Sequence, residues 1–320
     1  MSRDERPKAK GRTAFGIDIG GSGIKGAPVD LRTGEFTADR VRIPTPQPAT
    51  PPAIAQVVAQ IVTQFGLRKS VPIGVTFPAV VRHGVAQSAA NVDESWIGTD
   101  IERLLRAATG RQVLAVNDAD AAGYAEVEYG AARDVPGLVM VVTLGTGIGT
   151  ALINNGRLVP NTELGHLEVD GVDAETRASD AARERDNLSY ADWATRLQRY
   201  FDELERLFSP DLFVVGGGVS KKYDEYLPLL HLRTPIVPAA LRNAAGIVGA
   251  ARLAAEALKS AARRRAASHL LALELEHEPV EPFGGALVDV EELGPVAVAA
   301  ARVLDAQHPG PQLQDAGGGR

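Results

Sequence analysis

Four groups of residues in this chain could do chemistry. The first is Asp18 with Gly20, Gly21, Ser22, Gly23 and Lys25, in the stretch GIDIGGSGIKG. A carboxylate at the end of an apolar run, beside unhindered backbone amides, suits a magnesium-linked polyphosphate. Glycine permits close approach and the N–H groups supply donors. An ordinary hairpin turn accounts for the same residues equally well. The second group is Thr143, Gly145, Thr146, Gly147 and Gly149, a loop of amides and hydroxyls in TLGTGIG. One glycine turn is weak evidence of a phosphate site. Two in matching settings are stronger, because a phosphate chain held between two halves of a protein needs a cradle from each side. The third group is Asn117-Asp118, directly after the apolar run VLAV. A carboxylate at the C-terminal end of a strand, on the floor of a cleft, is placed to act as a general base. Asn and Asp are also favoured helix caps, and for this pair alone the cap is the more economical role. The fourth group is Glu163, Gly165, His166, Glu168 and Glu175. Carboxylates and imidazole accept and donate in fixed directions, which suits a ligand with several hydroxyls. Metal binding competes with that reading but lacks a second nearby histidine, and a solvated acidic surface is the plainer alternative.

The elements that must position these groups follow from the pattern around them. Phe15 to Ile19 predicts a strand running into a glycine turn. Gly21, Gly23 and Gly26 fit the G-x-G-x-x-G fingerprint of a dinucleotide-binding turn, but that turn must open a helix. Here Pro28 follows, and APVDLRTGEFTADRVRIP reads as two strands around the turn Arg32-Thr33-Gly34. With no crossover helix available, a Rossmann oxidoreductase is disfavoured. TPQPATPP is a proline-rich connector, and AIAQVVAQIVTQFG predicts a helix closed by Gly66. VPIGVTFPAVV predicts a buried strand, IERLLRAATG a short helix, and QVLAVNDADAAGYAEVEYG a strand entering a helix. GLVMVVTLGTGIGTALINNG repeats the strand–turn–strand layout and ends on an Asn-Asn-Gly hairpin signal. LSYADWATRLQRYFDELERLF predicts an amphipathic helix, LFVVGGGVSKK a strand ending in Gly216, Gly217 and Gly218, and AGIVGAARLAAEALKSAARRRAASHLLALELE a helix, at least at its start. Beyond about Lys259 the pattern changes to an Arg cluster and then Pro, Gly and Ala, which predicts a largely disordered tail.

Composition narrows the classes. The 320 residues are 45% hydrophobic, enough for a substantial core in two moderate domains or one large one. Lys plus Arg number 34 against 40 Asp plus Glu, a net charge of −6, which argues against wholesale binding to nucleic acid. With no cysteine there is no disulfide, zinc–thiolate site or thiol nucleophile. The charged start, MSRDERPKAKGR, lacks the apolar core of a signal peptide, and no run is long enough to cross a bilayer. A cytoplasmic protein without membrane or nucleic-acid partners is the economical expectation.

Taken together, DIGGSGIKG, NDAD, TLGTGIG, ELGH and LFVVGGGVS resemble the motifs of the ROK family of sugar kinases, within the sugar kinase, actin and heat-shock ATPase superfamily. The stretches SAANVDESWIGTD, ELGHLEVDG and GGGVSKK are similar to the actinobacterial polyphosphate glucokinases in that family. The resemblance covers roughly residues 13 to 257. It implies an α/β, two-domain actin-like ATPase (ribonuclease H-like) fold with its active site in an interdomain cleft. The expected domains are 13–118, completed by a helix near 244–257, and 119–243, with 259–320 unassigned. The resemblance makes Asp118 the base and places glucose against Asn117, Asp118, Glu163, His166, Glu175 and Asn91. It implies transfer to the glucose 6-hydroxyl from polyphosphate, and from ATP, with Mg²⁺ held through water by Asp18, and a homodimer. Most of the family carries a cysteine-rich zinc motif after E-x-G-H. It is missing here, as in the polyphosphate subfamily, so no zinc is expected. The segment before the first motif is too short for the DNA-binding module of ROK repressors. A long polyanion also needs a basic track, which Lys221 and Lys222 could begin and Arg177, Arg183 and Arg185 extend; all five are equally readable as solvated surface charges. An ATP-only hexose kinase and a non-catalytic sugar sensor remain the alternatives.

Overall fold

The computed structural model describes residues 13–89 and 92–277, with side chains through residue 268. Two five-stranded sheets organise it, both lying within one compact unit that ends at Arg265. The first sheet begins with the strands β1 (Thr13–Gly20) and β2 (Gly23–Asp30), which pair antiparallel from Thr13↔Asp30 to Gly20↔Gly23. Pro28 sits inside β2 opposite Phe15, and no helix follows the glycines, so the Rossmann reading fails on topology as well as on pattern. β3 (Val41–Ile43) extends the hairpin outward. After α1 (Pro51–Gln64) come β4 (Ile73–Phe77), the small hairpin β5 (Val81–Arg82) and β6 (Val85–Ala86), α2 (Ile101–Thr109) and β7 (Val113–Asn117). The sheet order is β3-β2-β1-β4-β7, with β4 parallel to both β1 and β7. Local chemistry explains the helix limits. Prolines open α1, Asp100 accepts the amide of Arg103 at the start of α2, and Gly110 ends α2 in the left-handed conformation at φ 65°.

α3 (Asp118–Tyr129) leads from β7 to the second sheet, β8 (Leu138–Leu144), β9 (Ile148–Asn154) and β10 (Arg157–Val159). β8 and β9 pair antiparallel around the second glycine turn, repeating the layout of β1 and β2. The short hairpin β11 (Glu168–Val169) and β12 (Val172–Asp173), then α4 (Glu175–Ala178) and α5 (Asp180–Arg185), precede the long α6 (Tyr190–Phe208). β13 (Leu212–Gly216) adds parallel to β8, and β14 (Ile236–Pro238) closes the order β10-β9-β8-β13-β14. α6 presents Trp193, Leu197, Tyr200, Phe201 and Leu204 to a core shared with Met140, Val142, Phe213 and Val215. That is the amphipathic face its sequence predicts.

The last helix, α7 (Ala245–His277), returns to the first sheet. It packs so closely that a Cβ on Gly16 of β1 would stand 1.9 Å from the Ile247 carbonyl oxygen. The start predicted near 244 agrees, but the tail predicted from 259 does not. The helix runs to His277 because EALKSAARRRAASHLLALELE supplies strong helix formers with neither Gly nor Pro. Residues 259–268 project no buried side chain, so propensity rather than packing carries this segment. Residues 278–320 lie outside the described residues. Among the described residues no helix is long and apolar enough to cross a membrane.

Candidate active site

The site is built where the first sheet's strand ends meet the start of α3 and the turn between β8 and β9. Asp18 lies near the end of β1, in register with Lys25 on one side and Thr76 of β4 on the other. Its Oδ2 takes a 3.0 Å contact from Lys25 Nζ, and its Oδ1 accepts the Thr76 hydroxyl at 2.9 Å. Gly246 of α7 sits against the same carboxylate, because a Cβ there would be 3.3 Å from Oδ1. The carboxylate is thus fixed from three sides. Sequence reasoning missed Thr76, a buried hydroxyl one strand over.

Asn117 resolves the ambiguity of the NDAD motif. Its side-chain oxygen caps α3 by accepting the amides of Ala119 and Asp120, and its Nδ2 donates to the Ala79 carbonyl at 3.1 Å. Asn117 is therefore buried and engaged by the protein at both ends of its amide, with one Nδ2 donor still without a partner among the described residues. Asp118, the next residue, does not cap the helix as Asn117 does and keeps an accessible face. Its Oδ1 accepts only its neighbour Ala119 N at 2.8 Å. The surrounding protein desolvates it, and the negative charges of Asp18 and Glu163 add to the effect, pushing its pKa up to about 6. A carboxylate with a pKa near 6 remains ionised at neutral pH and is a stronger base than an ordinary aspartate.

Asp120 went unnoticed in the sequence. It is 2% exposed, and Oδ2 accepts the Asn161 amide at 2.7 Å while Oδ1 has no partner. Burial pushes its pKa up to about 7. Asn161 in turn exchanges hydrogen bonds with the backbone of Val81. Asp120 therefore ties the first turn of α3 to the loop that delivers Glu163. Thr150 of β9 secures that loop from the other side through the Thr162 carbonyl and the Leu164 amide.

Glu163 and His166 flank a single 3-10 turn, Leu164–His166, and both are exposed. His166 Nδ1 shares a 2.8 Å hydrogen bond with Asp173 Oδ2, which raises the ring's pKa and leaves Nε2 for another partner. Glu163 is held above the usual carboxylate range by partial burial, opposed by His166. Glu175 joins this cluster electrostatically but points at the glycine turn. Its Oε2 accepts the Ile148 amide at 2.8 Å and lies 2.3 Å from where a Cβ on Gly147 would be. Glu168 stands across the β11–β12 hairpin from Asp173. Asn91 lies outside the described residues.

The second turn packs directly on the start of α3, since a Cβ on Gly149 would be 2.8 Å from that of Ala119. Thr143 lies between Gly149 and Gly216, its partners in the two neighbouring strands. Gly217 has φ 86° and ψ −179°, a conformation open essentially to glycine alone. A Cβ there would also strike the Leu144 carbonyl oxygen at 2.1 Å. The glycine run is thereby packed closely against the end of β8. The basic residues expected beyond it are mostly engaged. Arg183 pairs with Asp180 and lies over the Tyr190 ring, Arg185 pairs with Asp186, and Lys222 pairs with Glu225. Lys221 and Arg177 are exposed.

Comparison with known proteins agrees with this arrangement. The ROK family profile matches residues 14–182. The chain belongs to the ROK family. Among relatives, a polyphosphate glucokinase of Mycobacterium tuberculosis is 55% identical over 241 residues, which are 75% of this chain and 90% of that protein. The crystal structure of an inorganic polyphosphate/ATP-glucomannokinase from Arthrobacter sp. strain KM is 60% identical, with a TM-score of 0.71, covering 75% of this chain and 97% of that one. A ROK family glucokinase from Streptomyces griseus, solved with glucose and AMPPNP, shares the fold at 24% identity and a TM-score of 0.64. The fold is accordingly the two-lobed α/β architecture of actin-like ATPases, and the paired hairpins β1–β2 and β8–β9 are its two glycine turns. Among the described residues no group of three His, Cys, Asp or Glu side chains is arranged to hold a metal ion.

Proposed function

We propose that this ROK protein transfers the terminal phosphoryl group of inorganic polyphosphate, and of ATP, to the 6-hydroxyl of glucose, giving glucose 6-phosphate. The observation that carries the reading is Asp118. It is an accessible carboxylate at the start of α3, with its pKa pushed up to about 6 and Glu163 within electrostatic reach. In this mechanism Glu163 and the free Nε2 of His166 grip sugar hydroxyls, while Glu175 and Asn117 position the surfaces around them. Asp118 accepts the 6-hydroxyl proton as that oxygen attacks phosphorus in line. The transition state is loose and anionic, so catalysis rests on positioning and on donors aimed at the developing charge. Gly20, Gly21, Ser22 and Gly23 on one side, with Gly145, Thr146, Gly147 and Gly216 to Gly218 on the other, supply backbone amides.

Asp18 fits a magnesium ion held through water. Lys25 and Thr76 occupy one lone pair on each oxygen, leaving acceptors for a hydrated ion but no second carboxylate for direct chelation. Bound there, the ion would neutralise donor charge. The choice of polyphosphate is supported by the 55% and 60% identities to proteins named for its use. Location in the cytoplasm and a homodimeric state belong to the same proposal, to be checked by fractionation and sedimentation.

The test couples glucose 6-phosphate formation to NADPH absorbance, with polyphosphate or ATP at matched terminal phosphate. Turnover with both donors, faster with polyphosphate, is expected. Activity with ATP alone would overturn polyphosphate use, and inactivity with both across a panel including mannose would favour a sugar-sensing role.

A further inference from the structure

Strand β3 carries a feature that none of the site motifs contains. Its Arg42 stands directly across from Lys25, in the cross-strand register Lys25↔Arg42, where side chains are near neighbours. The guanidinium reaches over the first glycine turn. Its Nη2 donates to the Ser22 carbonyl at 2.9 Å, and a Cβ on Gly23 would lie 2.7–2.8 Å from its Nε, Cζ and Nη2. Two residues earlier, Arg40 donates from Nη1 to the Asn243 carbonyl at 3.3 Å, on the segment just before α7. Both arginines are exposed. Neither forms an ion pair with a carboxylate among the described residues, unlike Arg183, Arg185 and Lys222. Lys25, Arg42 and Arg40 therefore make a row of three cations that begins at Asp18 and leaves the site over the edge strand of the first sheet.

We propose that Arg42 and Arg40 form the track that holds the part of a polyphosphate chain lying beyond the transferred phosphate. The inference rests on the polyphosphate reading above and adds which residues read chain length. A row of exposed, uncompensated guanidinium groups is the chemistry that a repeating phosphate anion requires, because each group offers several N–H donors and a permanent charge. ATP ends in a nucleoside after three phosphates and gains less from such a row. The strip thus discriminates donors by length. It is carried by β3 and the residues just before it, and not by Lys221 and Lys222, the residues the sequence suggests.

The test compares Arg40→Ala, Arg42→Ala and Arg40→Lys in the full chain, using ATP, inorganic tripolyphosphate and long-chain polyphosphate as donors. Arg40→Ala is expected to lower kcat/KM for long-chain polyphosphate by about three- to tenfold, mainly through KM, with little change for ATP. Arg42→Ala should cost at least as much and should reach tripolyphosphate too, and Arg40→Lys should recover most of the loss. Added salt should narrow the difference between wild type and Arg40→Ala, since exposed charges are screened. Thermal denaturation of each variant separates a disturbed turn from a lost contact. Equal losses with ATP and long-chain polyphosphate, or no loss with either in Arg40→Ala, would overturn the track while leaving polyphosphate use intact. If the unsubstituted protein does not use polyphosphate at all, the functional reading itself fails and the track falls with it.

Discussion

The two glycine turns have the same backbone layout and opposite surroundings. The turn between β1 and β2 is bordered by charge, with Asp18 and Lys25 at its base and Arg42 across its top. The buried Thr45 hydroxyl donates to the Gly20 carbonyl at its edge, and the atoms facing Gly23 belong to the flexible end of an arginine. The turn between β8 and β9 has no cation in its hydrogen bonds and is instead propped by Glu175 on the Ile148 amide and packed against Ala119. An antiparallel hairpin with glycines can serve either purpose, so the turn itself does not decide its role. The side chains delivered from other strands do. The first turn manages ionic charge, and the second presents amides in a fixed geometry.

The largest effect should come from the residue between them. Asp118→Asn is expected to reduce kcat by about 10²–10⁴-fold while the fold and glucose binding persist, as judged by steady-state rates and calorimetric titration of glucose. Near-normal turnover in that variant would remove Asp118 as the base. A paired alanine substitution addresses the comparison directly. Gly147→Ala drives a Cβ into the Glu175 carboxylate and should lower both activity and melting temperature. Gly23→Ala displaces a flexible guanidinium and should leave the melting temperature within a few degrees of wild type, while weakening long-chain polyphosphate use. Equal destabilisation by the two changes would mean that both turns are rigidly propped.

The charged first turn also predicts a pH effect. With the pKa of Asp118 at about 6 in the free protein, kcat/KM should fall as pH drops through about 6. Asp18 is one of the charges holding that value up, so Asp18→Asn should move the acidic limb of the residual activity to lower pH. An unmoved limb would show that the Asp18 charge does not contribute to the value. The smallest effect concerns stability. Because the folded-state pKa of Asp118 is raised, this group favours folding while protonated, and that contribution is lost as pH rises from about 4 through about 6. Asp118→Asn should therefore melt slightly higher than wild type at pH 8, with the gain disappearing toward pH 4. A variant less stable than wild type at both pH values would contradict this.

Local elements, and the places where backbone amides can gather, are written in the chain itself. Glycines, prolines and caps act within a few residues of themselves, so the hairpins at Gly20–Gly23 and Gly145–Gly147, the stop at Gly110 and the cap at Asn117 were all legible. Pro28 was enough to reject the dinucleotide-binding reading for the same local reason. The end of α7 is less legible, because the Arg cluster after Lys259 reads as a change of character although Ala and Arg continue a helix as well as Leu does. Folding alone brings in the partners that arrive from distant segments: Thr76 on Asp18, Asp120 on Asn161, Glu175 on the second turn and Arg42 on the first. Sheet order, cross-strand register and close approach set these contacts, and none of them leaves a signal in local spacing. The same cause separates the arginines. Arg183 and Arg185 looked available in the sequence and are held by neighbouring aspartates, whereas Arg40 and Arg42 looked like ordinary strand residues and are free because β3 sits at the sheet's edge.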